Sequence, residues 1–202
     1  MEHQPRASSP RGEPPRASAQ MAAPTIELRD PWVAAFLAWV FPGLGHLYQG
    51  RTHKAILFSI TIMTIFVWGL FLGGSRELGW GRVVYFSMRP GDRRLWFFGQ
   101  MWVGVPVLPA IIQAIRVNSG KEPLWHYFMA PPILGPDRED PQDLAPPYTL
   151  DTLQKRLHRF FDLGTVYTAI AGLLNILVIY DAWGGPVAGE EEEHPDEPAS
   201  EG

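Results

Sequence analysis

The chain has no cysteine, which excludes a disulfide framework, a thiolate metal centre and a cysteine nucleophile. Charge is missing in long stretches. Residues 31–48, 55–74, 95–115 and 163–180 hold no Asp, Glu, Lys or Arg, although 19% of the 202 residues are charged. The bulk composition is therefore an average of very apolar runs and very polar connectors, which a soluble domain around one core does not show, and a collagen-like or wholly disordered chain is excluded. A cleavable signal peptide is not expected at the start either, because Met1–Gln20 is polar and proline-rich. A start at Met21 would place Arg29 before the apolar Val33–Phe41, as in a signal anchor. Pro42-Gly43-Leu44-Gly45 follows it in place of an Ala-x-Ala site, so an uncleaved first helix is expected.

The apolar runs are long enough for a bilayer. A hydrocarbon core about 30 Å thick needs roughly 20 helical residues, and a barrel would instead show short alternating segments. The expectation is an all-α integral membrane bundle of about four transmembrane helices, at 31–48, 55–74, 95–115 and 163–183, making one transmembrane domain over 31–183. The first run contains Pro42, so it either spans with a kink or enters and turns back. Residues 1–30, rich in Pro and Arg, and 184–202, with Glu190–Glu193, are expected to be disordered tails. Between the last two runs, residues 150–161 place Leu150, Leu153, Leu157 and Phe160/Phe161 at helical spacing opposite Lys155, Arg156 and Arg159. That pattern suits an amphipathic helix, lying either at an anionic lipid surface or on the end of the bundle. Trp32, Tyr48, Trp80, Trp96 and Trp183 fall near run ends, as interfacial aromatics do. Trp39, Trp68 and Trp102 are internal and expected to pack between helices.

The densest local pattern is Phe41-Pro42-Gly43-Leu44-Gly45-His46-Leu47-Tyr48-Gln49-Gly50-Arg51. Pro42 removes a helical hydrogen bond and the glycines permit close approach, so His46 and Tyr48 are expected to bond the freed backbone, which cannot stay unpaired in lipid. The stretch Pro42, Gly43, Gly45, His46, Tyr48, Gly50, Arg51 resembles a bacterial two-transmembrane-type family of membrane proteins of unknown function, read as Pro-Gly-x-Gly-His-x-Tyr-x-Gly. The resemblance covers about residues 31–74 and implies a multi-pass protein of the bacterial inner membrane, with no reaction attached.

Polar residues inside the runs are the remaining candidates: Gln100, Gln113, Asn175 and Asp181. Asn175, midway along its run, is expected to bond another helix. Gly69 and Gly73 form a Gly-x-x-x-Gly pair for close helix packing, with Ala34, Ala35 and Ala38 as possible facing residues or a second copy as an alternative. His46, His53, His126 and His158 do not share a helical face at ligand spacing, so no metal site is expected. No nucleophile, base and orienting group are grouped, so no catalytic residue is assigned and no cofactor is expected. Nucleic-acid binding does not fit a net charge of -4 without a recognition motif. The expected partners are the lipid bilayer and other membrane proteins or a second copy. Three functions follow in order: a non-enzymatic scaffold or interaction module, a small transport or channel component, and an intramembrane enzyme using His46, Tyr48 or Asp181. Four spans would place both termini and the 75–94 loop on one side. Four Arg before the first run favour termini inside, whereas a basic helix at 150–161 lying on anionic lipid favours the opposite.

Overall fold

Whether the first apolar run crosses or returns is decided at Phe41–Gly43. The computed structural model describes residues 30–90, 92–133 and 148–185. Helix α1, Pro31–Val40, starts where the Asp30 carboxylate accepts a 2.8 Å bond from the Trp32 N–H. It stops at Phe41, which is extended. Gly43 then takes a left-handed conformation (φ +89°) closed to most L-residues, and the short helix α2, Leu44–Tyr48, folds back. A Cβ on Gly45 would strike the backbone of Ala34 and crowd the Ala38 and Ala182 side chains, so α2 lies directly on α1. This run turns back.

Helix α3, Thr52–Leu72, and helix α7, Arg159–Gly184, are long and apolar enough to cross a membrane. At about 1.5 Å per residue they measure about 32 and 39 Å, whereas α1 reaches only about 15 Å. They run antiparallel. The Gly69–Gly73 end of α3 meets Gly164 and Thr168 near the start of α7. The α2–α3 junction lies instead by Asp181 and Ala182 near the end of α7. Only 22% of α3's most apolar stretch and 44% of α7's are buried in the protein. A core helix of a soluble protein hides most of its surface, so the outward apolar faces here suit lipid.

The third run, expected to be one span over 95–115, is broken. Helix α4, Trp96–Gln100, gives way to 3-10 turns at Met101–Val103 and Val105–Val107, then helix α5, Leu108–Asn118. Gly104, at φ +87° between the turns, would drive any side chain into the Trp39 and Val40 carbonyls. The descending limb follows α7: Arg94 bonds Thr165, Gly99 sits on Ala169 and Gly172, and Trp102 reaches Asn175. The ascending limb goes back. Gln113 in α5 bonds Leu124 and Phe128, and that segment packs on Gly79–Gly81 just beyond α3. Pro106, Pro109 and the positive φ at Gly104 account for the break, since each interrupts helical continuation.

The described chain is thus two long antiparallel helices flanked by two half-length hairpins that enter from opposite ends and touch at mid-depth. Four continuous crossing helices are not observed. We call the end holding the start of α1 and the close of α7 the terminal end, and the other the loop end. The loop end also carries a small antiparallel hairpin, β1 (Met88–Arg89) with β2 (Asp92–Arg93), and a 3-10 turn at Trp125–Tyr127. The amphipathic helix α6 spans Leu150–Leu157, shorter than expected. Thr149 caps it, Leu153 and Leu157 are buried, and His158 (φ +49°) breaks it, so Phe160 and Phe161 belong to α7. Trp39, Trp68 and Trp102 are 37%, 52% and 38% exposed, on the outer face rather than between helices. Of the tails expected at 1–30 and 184–202, residues 1–29 and 186–202 lie outside the described residues, while Asp30 caps α1 and Gly184 closes α7.

Candidate functional site

Three polar groups are set into this scaffold, one at each end and one at mid-depth. At the terminal end α2 carries His46, fully buried, whose Nε2 and the Asp181 carboxylate of α7 share a 2.6 Å hydrogen bond. The Arg51 guanidinium approaches the same carboxylate oxygen at 3.5 Å, and the His46 ring meets Phe58 edge-on at 5.0 Å. Asp181 is 40% exposed, so the pair is sealed on the histidine side and open on the carboxylate side. His46 therefore bonds a side chain of α7 and not the backbone freed by Pro42. Elsewhere at this end Ser59 Oγ donates to the Pro42 carbonyl and Gln49 Nε2 to the Ala182 carbonyl near the close of α7, each at 2.6 Å. Tyr48 packs on the Ala34–Ala38–Ala182 cluster, and Gly50 is exposed in the turn before α3.

At mid-depth Asn175, with no exposed surface, donates to Ala38 O at 3.0 Å and Trp102 O at 2.8 Å. Four residues on from Ala38 is Pro42, and four on from Trp102 is Pro106. Neither proline has an N–H, so each carbonyl lacks its helical donor, and one amide supplies both. Asn175 holds the two hairpin tips together. The other sequence candidates act similarly. Gln100 donates to Thr168 Oγ1 at 2.8 Å and Val83 O at 3.3 Å. Gln113 donates to Leu124 O and Phe128 O and accepts from Leu124 N. That grip spans Trp125, His126 and Tyr127, all at positive φ, a conformation costly for residues with a Cβ. Gly69 and Gly73 face Gly164 and Thr168 of α7, and Gly73 also meets Val83. Ala34 and Ala38 face Gly45 instead.

The loop end holds an arginine cluster. Arg94 donates to Val83 O at 2.9 Å and Thr165 Oγ1 at 2.8 Å, between the Tyr85 and Phe161 rings at 4.7 and 5.1 Å. Arg82 is 1% exposed, donates to Tyr127 O at 3.2 Å and lies 5.7 Å from the Tyr127 ring centre. Burial pulls the Arg82 guanidinium down to about 10 and the Arg94 guanidinium below its usual value, while the Tyr85 hydroxyl, which donates to Asp92, is pushed up by burial. No spacing in the sequence separates these two arginines from their exposed neighbours Arg76 and Arg93.

Among the described residues no three His, Asp or Glu side chains converge as metal ligands. No curated protein and no solved structure matches the chain. A family model does match, over residues 33–195, and its description assigns neither an activity nor the two-transmembrane type that the Pro42–Gly50 stretch resembles. The match takes in α1 through α7 and with them His46, Asn175, Asp181 and both hairpins, so the chain belongs to DUF6677, a family of unknown function.

Proposed function

We propose that the chain is a multi-pass protein of the bacterial inner membrane, with α3 and α7 crossing the bilayer and the two hairpins entering from opposite faces, and that it serves as a non-enzymatic interaction module. The observation that carries this reading is the use made of the polar groups. Asn175, Gln100 and Gln113 have no exposed surface and donate to backbone carbonyls or to a neighbouring hydroxyl. They support shape, and the outer surface left for partners is apolar, with Ile60, Val67, Trp68, Phe71 and Leu177 all more than half exposed. Orientation follows from charge. The segments 75–94 and 116–162 carry five and six Lys or Arg, against four in 1–30 and two in 49–54. With both richer segments attached to the loop end, the positive-inside rule puts that end in the cytoplasm and the terminal end outside. This reverses the orientation favoured by the four N-terminal arginines, and α6, at the loop end, then lies on the cytoplasmic side.

A second reading, a transport or channel component, is favoured by one observation: broken helices meeting at mid-depth are the architecture in which such proteins place their sites. The two separate on one variant. If His46 is a brace between α2 and α7, His46→Ala lowers the detergent melting temperature and dissociates co-purified membrane partners, and Asp181→Ala does the same without adding to it in the double variant. A His46→Ala protein that melts like wild type but loses solute flux or turnover in reconstituted vesicles would overturn the module reading.

A further inference from the structure

At the loop end a cavity of about 610 Å³ opens between the start of the α3–β1 connection and the α6–α7 junction, lined by Arg76, Glu77, Lys155, Arg156 and His158 over Ser75, Leu78 and Leu157. Three permanent cations and a histidine face one carboxylate there. Lys155 is paired with Asp151 on its own helix, whereas among the described residues neither Arg76 nor Arg156 has a carboxylate partner. The walls are held. Leu78 N donates to Ser75 Oγ at 3.1 Å, Tyr148 Oη donates to Glu77 O at 3.3 Å, and His158 N donates to Gln154 O at 2.8 Å as it closes α6 at positive φ. Leu78 and Leu157 are buried beneath the charges, so the floor is apolar and the rim cationic. Immediately past the rim, Phe160 and Leu163 on α7 are exposed. An apolar surface suited to acyl chains therefore runs up to a cationic recess.

We infer that this recess binds the phosphate of an anionic phospholipid headgroup, with Arg76 and Arg156 as its principal ligands and the acyl chains along Phe160 and Leu163. Guanidinium groups match phosphate through paired N–H donors, and basic pockets on the cytoplasmic side of helical membrane proteins take anionic headgroups by this chemistry. A soluble phosphate would satisfy the arginines but gain nothing from the apolar surface beyond the rim. The inference rests on the membrane reading above, and its test is arranged so that the two can fail separately.

The full chain in neutral detergent micelles is titrated with phosphatidylglycerol or with phosphatidylcholine, and retained lipid is read by native mass spectrometry. Wild type is expected to retain phosphatidylglycerol preferentially. Arg76→Ala/Arg156→Ala is expected to retain it roughly 25-fold less, about fivefold for each cation removed, and Arg76→Lys/Arg156→Lys to keep most of the preference. Both residues are exposed, so the variants should melt with wild type. Equal retention of the two lipids, or an alanine variant that binds like wild type, overturns the inference. Competition by inorganic phosphate at the concentration of the lipid would reassign the recess to a soluble anion and also overturn it. If the chain remains monodisperse without detergent, the membrane reading fails whatever the lipid result.

Discussion

Replacing Asn175 with leucine should lower the melting temperature of the detergent-solubilised protein by roughly 4 °C or more and reduce its yield from membranes. Two magnitudes bracket the effect. Side-chain hydrogen bonds in membrane proteins average about 0.6 kcal/mol, because the unfolded chain in lipid finds other partners, which for two bonds gives about 1 kcal/mol. Leaving a buried acceptor unpaired costs about 1–3 kcal/mol, hence about 2–6 for two. The larger figure applies here. Ala38 O and Trp102 O each precede a proline by four residues, no helical N–H can replace the lost donor, and the site has no exposed surface. At about 2–4 °C per kcal/mol for a chain of this size, the shift is easily measured. The same variant bears on transport. Normal expression and melting with abolished flux would mean that Asn175 lines a path, whereas loss of folded protein means that it joins the hairpins.

Gly172→Ala should be at least as damaging, even though alanine favours helix more than glycine by about 0.8–1.0 kcal/mol. The added methyl would occupy the position of the Gly99 carbonyl, a backbone atom of α4 that cannot rotate away. Either α4 leaves α7, releasing Gln100 from Thr168 Oγ1, or α7 distorts beside Asn175. Gly184→Ala is the control. It lies on the same helix with nothing within 4 Å of the new methyl, so the propensity gain should leave melting unchanged or slightly raised. Equal behaviour of the two variants would show that α4 does not lie on α7 as described.

Much of the fold was legible because the length of an apolar run sets the length of its helix. The runs at 55–74 and 163–183 match α3 and α7 to within a few residues, since an uninterrupted apolar stretch near 20 residues has one regular solution. The other two runs have the same composition and differ only in punctuation. Pro42 with Gly43 was read as a kink or a return. Gly104 between Trp102 and Pro106 carries no such signal, because proline is common in membrane helices and glycine alone does not announce a positive φ. What separates them is a spacing of four. A proline four residues after a helical carbonyl orphans it, and the donor then has to come from a polar side chain elsewhere in the apolar run, which is where Asn175 sits. The partner of His46 was not legible for a different reason. Asp181 is 135 residues away, and both were candidates with no pattern linking them. Nor did composition distinguish the buried Arg82 and half-buried Arg94 from exposed arginines in the same loop, since burial is decided by the aromatic rings that close over them.

The central claim is that two helices cross and the hairpins return to their own sides. Its direct test is single-cysteine labelling on this cysteine-free chain with a membrane-impermeant maleimide, applied to right-side-out and inverted vesicles. His53 and Lys121 are both exposed, and the two topologies disagree about them. Two crossings place His53→Cys at the terminal end and Lys121→Cys at the loop end, so the first should label only from outside and the second only from the cytoplasmic face. Four crossings place the two positions on the same side, and labelling of both from one face alone would contradict the account.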